Sequence, residues 1–235
     1  MKKTALIATA IASLSLSLSA ADSSPKDEIN AAAKKLGDSD NYSWRTTVVV
    51  PEDAPFKPGP TEGKTEKDGY TSLSITFGDN DIKAVLKGDK GAAKGDGDWQ
   101  SLSEMANDQG PMRFMAMRLQ TFKAPAAQVQ QLVSFSKDLK KDGDVYSGTL
   151  TEEGAKTMLS FRPRSGGDAP SVSNAKGSVK FWLKDGALTK YEFTLKGTMN
   201  FNGNDIDMDR VSTVVIKDIG STKVTVPEEA KKKLS

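Results

Sequence analysis

The 235-residue sequence contains neither cysteine nor histidine. The first absence removes disulfide bonds, thiol nucleophiles and thiolate metal sites. The second removes Ser-His-Asp catalysis, the commonest zinc ligand and a histidine pH switch. Carboxylates, lysines, serines and oxygen-ligated metals are the chemistry left. No serine stands near a lysine in a nucleophile motif, and only carboxylate pairs brought together by folding stay open. The sequence reads as a non-enzyme with no cofactor. A surplus of one charge is missing too. Lys and Arg number 33 against 31 Asp and Glu. Lys2 and Lys3 account for the difference, so the remainder is balanced, which argues against a nucleic-acid partner.

Long apolar runs are scarce. The one at residues 4–18 is too short for a comfortable membrane span. It follows Lys2 and Lys3 and precedes Ser19-Ala20-Ala21, which together read as a secretory signal with a cleavage site. No cysteine stands at that junction to take a lipid. The expectation is a protein exported to the periplasm, soluble and without a stable membrane anchor. Residues 1–21 are the leader, and residues 22–235 are expected to form a single domain with a core of its own.

Ser24-Pro25 opens a helix, with Ile29, Ala32, Ala33 and Leu36 on one face and Gly37-Asp38 at its end. Residues 41–50 alternate as a strand, placing Tyr42, Trp44, Thr46, Val48 and Val50 opposite Arg45 and Val49. Residues 51–69 scatter Pro and Gly among charges and read as a long loop, either a lid or a solvated insertion. Strands follow at residues 70–77 and 82–86. The Gly/Lys stretch at 88–97 lacks the Ser/Thr and helix of a phosphate loop and reads as hairpin turns. Residues 101–140 change to helical period. Met115, Leu119 and Phe122 share one spacing, and Pro125 starts a helix with Val129, Leu132 and Val133. Four of the eight methionines lie here: Met105, Met112, Met115 and Met117. They fit either ordinary helix core or a lid over an apolar cavity. Residues 145–150 form a strand and Thr151 caps a short helix. Residues 162–176 read as a loop. Strands at 178–183 and 188–199 flank the turn Lys184-Asp185-Gly186. A long strand at 206–216 and a last helix at 228–234 close the chain.

Two further groups leave alternatives open. Asp205, Asp207 and Asp209 share one strand face, either as a weak calcium site or as a solvated face. Arg45 sits among Trp44, Thr46, Thr47 and Val48. It either faces the interior and needs an acceptor, or it lies exposed on the outer face.

The capped first helix, the strand Tyr42-Ser43-Trp44-Arg45, Trp99, Leu188-Thr189-Lys190-Tyr191 and the closing Val224-Thr225-Val226-Pro227-Glu228-Glu229-Ala230 follow the leader in that order. In this order the chain resembles the bacterial periplasmic lipoprotein-carrier superfamily, which includes the lipoprotein localisation factor and mycobacterial lipid-binding lipoproteins. The resemblance implies an α+β fold: a strongly curved antiparallel sheet, or half-open β-barrel, covered on its concave side by helices. It implies a carrier or binder of lipid, lipoprotein acyl chains or another apolar ligand, with envelope proteins as further partners. Trp44, Arg45, Met112, Met115, Leu119, Phe122 and Phe193 are the residues expected to line its cavity. The alternative is a non-enzymatic interaction protein of the cell envelope with a closed core.

Overall fold

The computed structural model describes residues 23–54, 57–78, 80–108, 111–160, 171–201 and 203–234. The leader at residues 1–21 lies outside them, as does most of the loop expected at 162–176. Eleven strands form one open sheet: β1 (Asn41–Val49), β2 (Thr61–Glu66), β3 (Thr71–Phe77), β4 (Asn80–Lys87), β5 (Lys90–Lys94), β6 (Gln100–Ser101), β7 (Ser136–Asp142), β8 (Val145–Leu150), β9 (Ser171–Lys184), β10 (Ala187–Phe201) and β11 (Asn204–Lys217). Their order is β6-β5-β4-β3-β2-β1-β11-β10-β9-β8-β7, and every pair is antiparallel. Two meanders, β1 to β6 and β7 to β11, therefore join side by side along the β1–β11 seam. Tight turns make the meanders. Asp185 and Gly186 both take positive φ, the type I′ geometry that suits the twist of a two-residue hairpin.

The helices are α1 (Pro25–Gly37), α2 (Leu102–Ala106), α3 (Pro111–Gln120), α4 (Pro125–Phe135), α5 (Glu152–Leu159) and α6 (Glu228–Lys233). β6 and β7 are the two opposite edges of the sheet, so the segment carrying α2, α3 and α4 must travel from one edge to the other. It does so across one face. Buried side chains of α1 to α5 belong to the same apolar cluster as Tyr42, Trp44, Leu73, Phe181, Tyr191, Phe193 and Val214. The other face has a smaller cluster at one end. There α6 lays Ala230 and Leu234 over Val85, Ala92 and Trp99. This explains β5, expected only as turns: its Lys-Gly-Ala-Ala-Lys sequence is poor in strand formers, but its small residues are covered from both faces.

Three other boundaries differ from the sequence reading. β2 lies inside the segment expected to be loop. Its sequence Thr-Glu-Gly-Lys-Thr-Glu has no apolar alternation, and pairing with β1 and β3 on both sides makes it a strand. The helical period expected as far as residue 140 stops at Phe135, where Ser136 turns into β7. β9 begins at Ser171, seven residues before the expected start. A bulge at Asn174, with φ of 53°, interrupts the alternation that would have announced it.

Side-chain pairs tie the layers at their rims. Glu28 of α1 accepts from Lys141 and from the Tyr146 hydroxyl. Glu104 of α2 closes a capping box with Ser101 and also receives Lys233 of α6 at 2.9 Å. Lys233 and the Ser101 backbone N–H hold the Glu104 carboxyl down at about 2. The unfolded chain binds a proton there near 4.5, so the contribution is full above that value and is lost as pH falls toward 2. Glu104→Gln is expected to lower the urea midpoint at pH 7. The gap to the parent should narrow steadily between pH 4.5 and 2, as followed by circular dichroism. A gap independent of pH would show that the ion pair does not contribute.

Candidate functional site

Six of the seven expected site residues meet in one apolar seam between the crossover helices and the sheet. Trp44 lies on β1 and Phe193 on β10. Both are buried on the face that α1 to α5 cover. Met115 and Leu119 come from α3, four residues apart and therefore on one side of the helix. They are buried against the same cluster, with Met112 and Phe122 half-buried at its border. The expected alternation along residues 41–50 is what delivers Trp44 inward. The same alternation turns Arg45 outward, where it is exposed and pairs with Glu62 of β2. Arg45 is thus separate from the seam, with an acceptor supplied by the neighbouring strand.

Trp44 is the centre of the seam. Its indole stacks on Phe122 with ring centroids 6.2 Å apart and tilts against Tyr42 at 5.7 Å. It also leans across the neighbouring strand onto Gly63, its register partner on β2. A Cβ at Gly63 would stand 2.0 Å from the indole ring. Only glycine leaves the room. On the far side, Phe193 stacks on Tyr191 at 6.4 Å. The side chains of the seam pack on one another. Two hollows of the surface lie elsewhere, one beside Lys34 and Lys35 of α1 and one over β9 to β11 near Lys196.

Polar groups pin α4 within this apolar setting. Ala124 at its start offers no capping side chain, and the Tyr42 hydroxyl accepts the orphan N–H of Ala126 instead. The Tyr191 hydroxyl donates to Gln128, two residues on. Burial pushes the Tyr42 hydroxyl up to about 12, partly offset by that N–H, and raises Tyr191 well above its ordinary value. Both stay neutral at physiological pH and act as hydrogen-bonding anchors. α3, by contrast, meets the sheet through Met115, Ala116 and Leu119.

The three aspartates of β11 find a simple explanation. Asp205, Asp207 and Asp209 each face a partner on β10: Asn200 at 2.7 Å, Thr198 at 2.9 Å and Lys196 at 2.6 Å. Each carboxylate is engaged by its own cross-strand neighbour. They form a cross-strand polar ladder on the exposed face. The sequence reading missed Gly63, the two tyrosine anchors and Arg210. Counting back from Ile216, Val214 and Ser212 in steps of two does put Arg210 on the covered face.

Gly63→Ala should displace Trp44. The expected result is a loss of about 1–3 kcal/mol in urea unfolding and a red shift of tryptophan emission. Gly95→Ala, at a glycine with open space around it, should leave both unchanged. Equal stability of the two variants would mean that the indole does not depend on the gap.

No family model and no curated protein matches the chain. Among solved structures it is similar to the lipoprotein LppX of Mycobacterium tuberculosis, at 13% identity and a TM-score of 0.49, over 86% of this chain and 98% of that one. It is also similar to LprF from Mycobacterium bovis, at 12% identity and a TM-score of 0.43, over 88% and 97% of the two chains. The resemblance to these mycobacterial proteins is a weak one.

Proposed function

We propose that the protein is a non-enzymatic carrier or binder of a lipid or another apolar ligand. The ligand enters between the crossover helices and the sheet, which acts as a half-open barrel with the helices over its concave side. One observation carries this reading. A long crossover lies over the sheet on methionine, leucine and aromatic side chains, and α3 rests on it through Met115, Ala116 and Leu119. Apolar contacts are non-directional, so an acyl chain replaces them at little cost. Methionine side chains re-form around a guest more readily than branched ones. Trp44, Met112, Met115, Leu119, Phe122 and Phe193 line the ligand's place, and α3 moves to admit it while the tyrosine anchors hold α4.

The leader sequence at residues 1–21, without a junction cysteine, supports export to the periplasm in an unlipidated form. Among the described residues no helix is long and apolar enough to cross a membrane. The close packing of Trp44 on Gly63 and Phe122 favours a second reading, an interaction protein of the envelope whose core stays shut.

An uptake experiment separates the two. A fluorescent acyl probe should bind saturably and quench tryptophan emission. Trp44→Phe should abolish most of that quenching, since Trp99 and Trp182 lie outside the seam. Lipid extracted from protein purified from its native host should be enriched in one class by mass spectrometry. No probe uptake together with no enriched lipid would establish the shut core.

A further inference from the structure

On the covered face of the sheet, Arg210 is a cation with no anion in reach among the described residues. Arg210 follows Ser212, Val214 and Ile216 in alternation on β11, and these three are buried. It stands opposite Leu195 in the register, one step along the strands from the Phe193–Ser212 pair. It therefore adjoins the apolar seam. Its Nη2 donates to the Met158 carbonyl in the last turn of α5, at 3.3 Å. Its Nε is buried and has no partner. No carboxylate among the described residues reaches it. The nearest acids in sequence, Asp207 and Asp209, sit on the opposite face and are taken by Thr198 and Lys196.

A second arginine adds to the same charge. Arg118 of α3 lies one turn beyond Phe114 and next to buried Met117 and Leu119. It is open to water, yet the surrounding protein still lowers its pKa by desolvation. That combination describes a side chain at a rim. The Arg210 guanidinium is brought down to about 10, first by desolvation and then by repulsion from Arg118. Neither arginine joins an ion pair among the described residues. A buried guanidinium with a second positive charge near it, and no counter-ion among the described residues, is a net cost to the folded chain that an anion beside it offsets. Guanidinium groups hold phosphate and carboxylate oxygens through paired N–H donors, and the Nε of Arg210 is such a donor with nothing to accept it.

We propose that Arg210 and Arg118 form a site for an anionic group, phosphate or carboxylate, borne as the head of the apolar ligand. This rests on the carrier reading above. The tail occupies the seam at Phe193 and Met115, and the head stays at the rim between β11 and α3. Ligands of this kind are anionic amphiphiles, distinguished from neutral lipids by the two arginines.

Three probes test it on the full chain: cis-parinaric acid, its uncharged methyl ester and inorganic phosphate. The acid is expected to bind about tenfold more weakly to Arg118→Gln and to Arg210→Gln, while binding of the ester is unchanged. Arg118→Gln, at the exposed rim, keeps the test decisive if Arg210→Gln fails to fold. Acid binding equal in parent and Arg118→Gln would overturn the site while leaving the carrier reading standing. Phosphate is tested by thermal unfolding against sodium chloride of equal ionic strength. Suppose it stabilises the parent but not Arg118→Gln, and neither amphiphile binds. The arginines then hold an anion from solution, and the carrier reading falls. No response to any of the three probes overturns both.

Discussion

The seating of Trp44 is the constraint on which the rest of the arrangement depends. Its strand, β1, is the hinge line between the two meanders, paired with β2 on one side and β11 on the other. Its indole leaves its own strand, fills the gap over Gly63 and meets Phe122 from the crossover. One side chain thus touches the first meander, the joining seam and the helical layer. Truncating a large buried aromatic removes about 3–5 kcal/mol, a large share of the stability of an ordinary domain. Phe122 has its place because the indole offers it a flat face. The span from α3 to α4 is fixed by that contact at one end and by Tyr42 at the other.

The two ends of the crossover are held by different physics. α4 is fixed by hydrogen bonds in an apolar setting, where each bond is directional and costly to break without replacement. α3 is held by contact area, which can be exchanged for other contact area. A layer built this way has one firm half and one adaptable half. The adaptable half carries the methionines, and the charged rim residue Arg118 belongs to it as well.

Much of this was legible in the sequence, for identifiable reasons. Alternation along residues 41–50 put Trp44 and Arg45 on opposite faces, but it did not say which face is covered, and Arg45 was expected at the cavity when it lies outside. Spacing and the proline starts found α1, α3 and α4. The strands that escaped are those whose stability comes from their neighbours. β2 is polar on both faces and is held by two paired strands. β5 is nearly all lysine, glycine and alanine and is held by helices above and below. Arg210 escaped for another reason. Residues 204–210 are so polar that they read as a solvated face, and only counting back from Ile216 reveals which of them turn inward. Contacts between elements far apart in sequence, such as Tyr42 with Ala126, leave no local trace at all.

The seam between β1 and β11 has a consequence for how the chain becomes a protein. It joins residues 43–49 to residues 211–217, with most of the sequence intervening. A ribosome delivers β1 long before β11. Until then the first meander has a bare edge at β1, and the helices of the crossover have only half a sheet to lie on. Hairpins form on the way, but the cooperative structure waits for the final strand, the slow route expected of long-range pairing. A chain of this design remains threadable until β11 has been made.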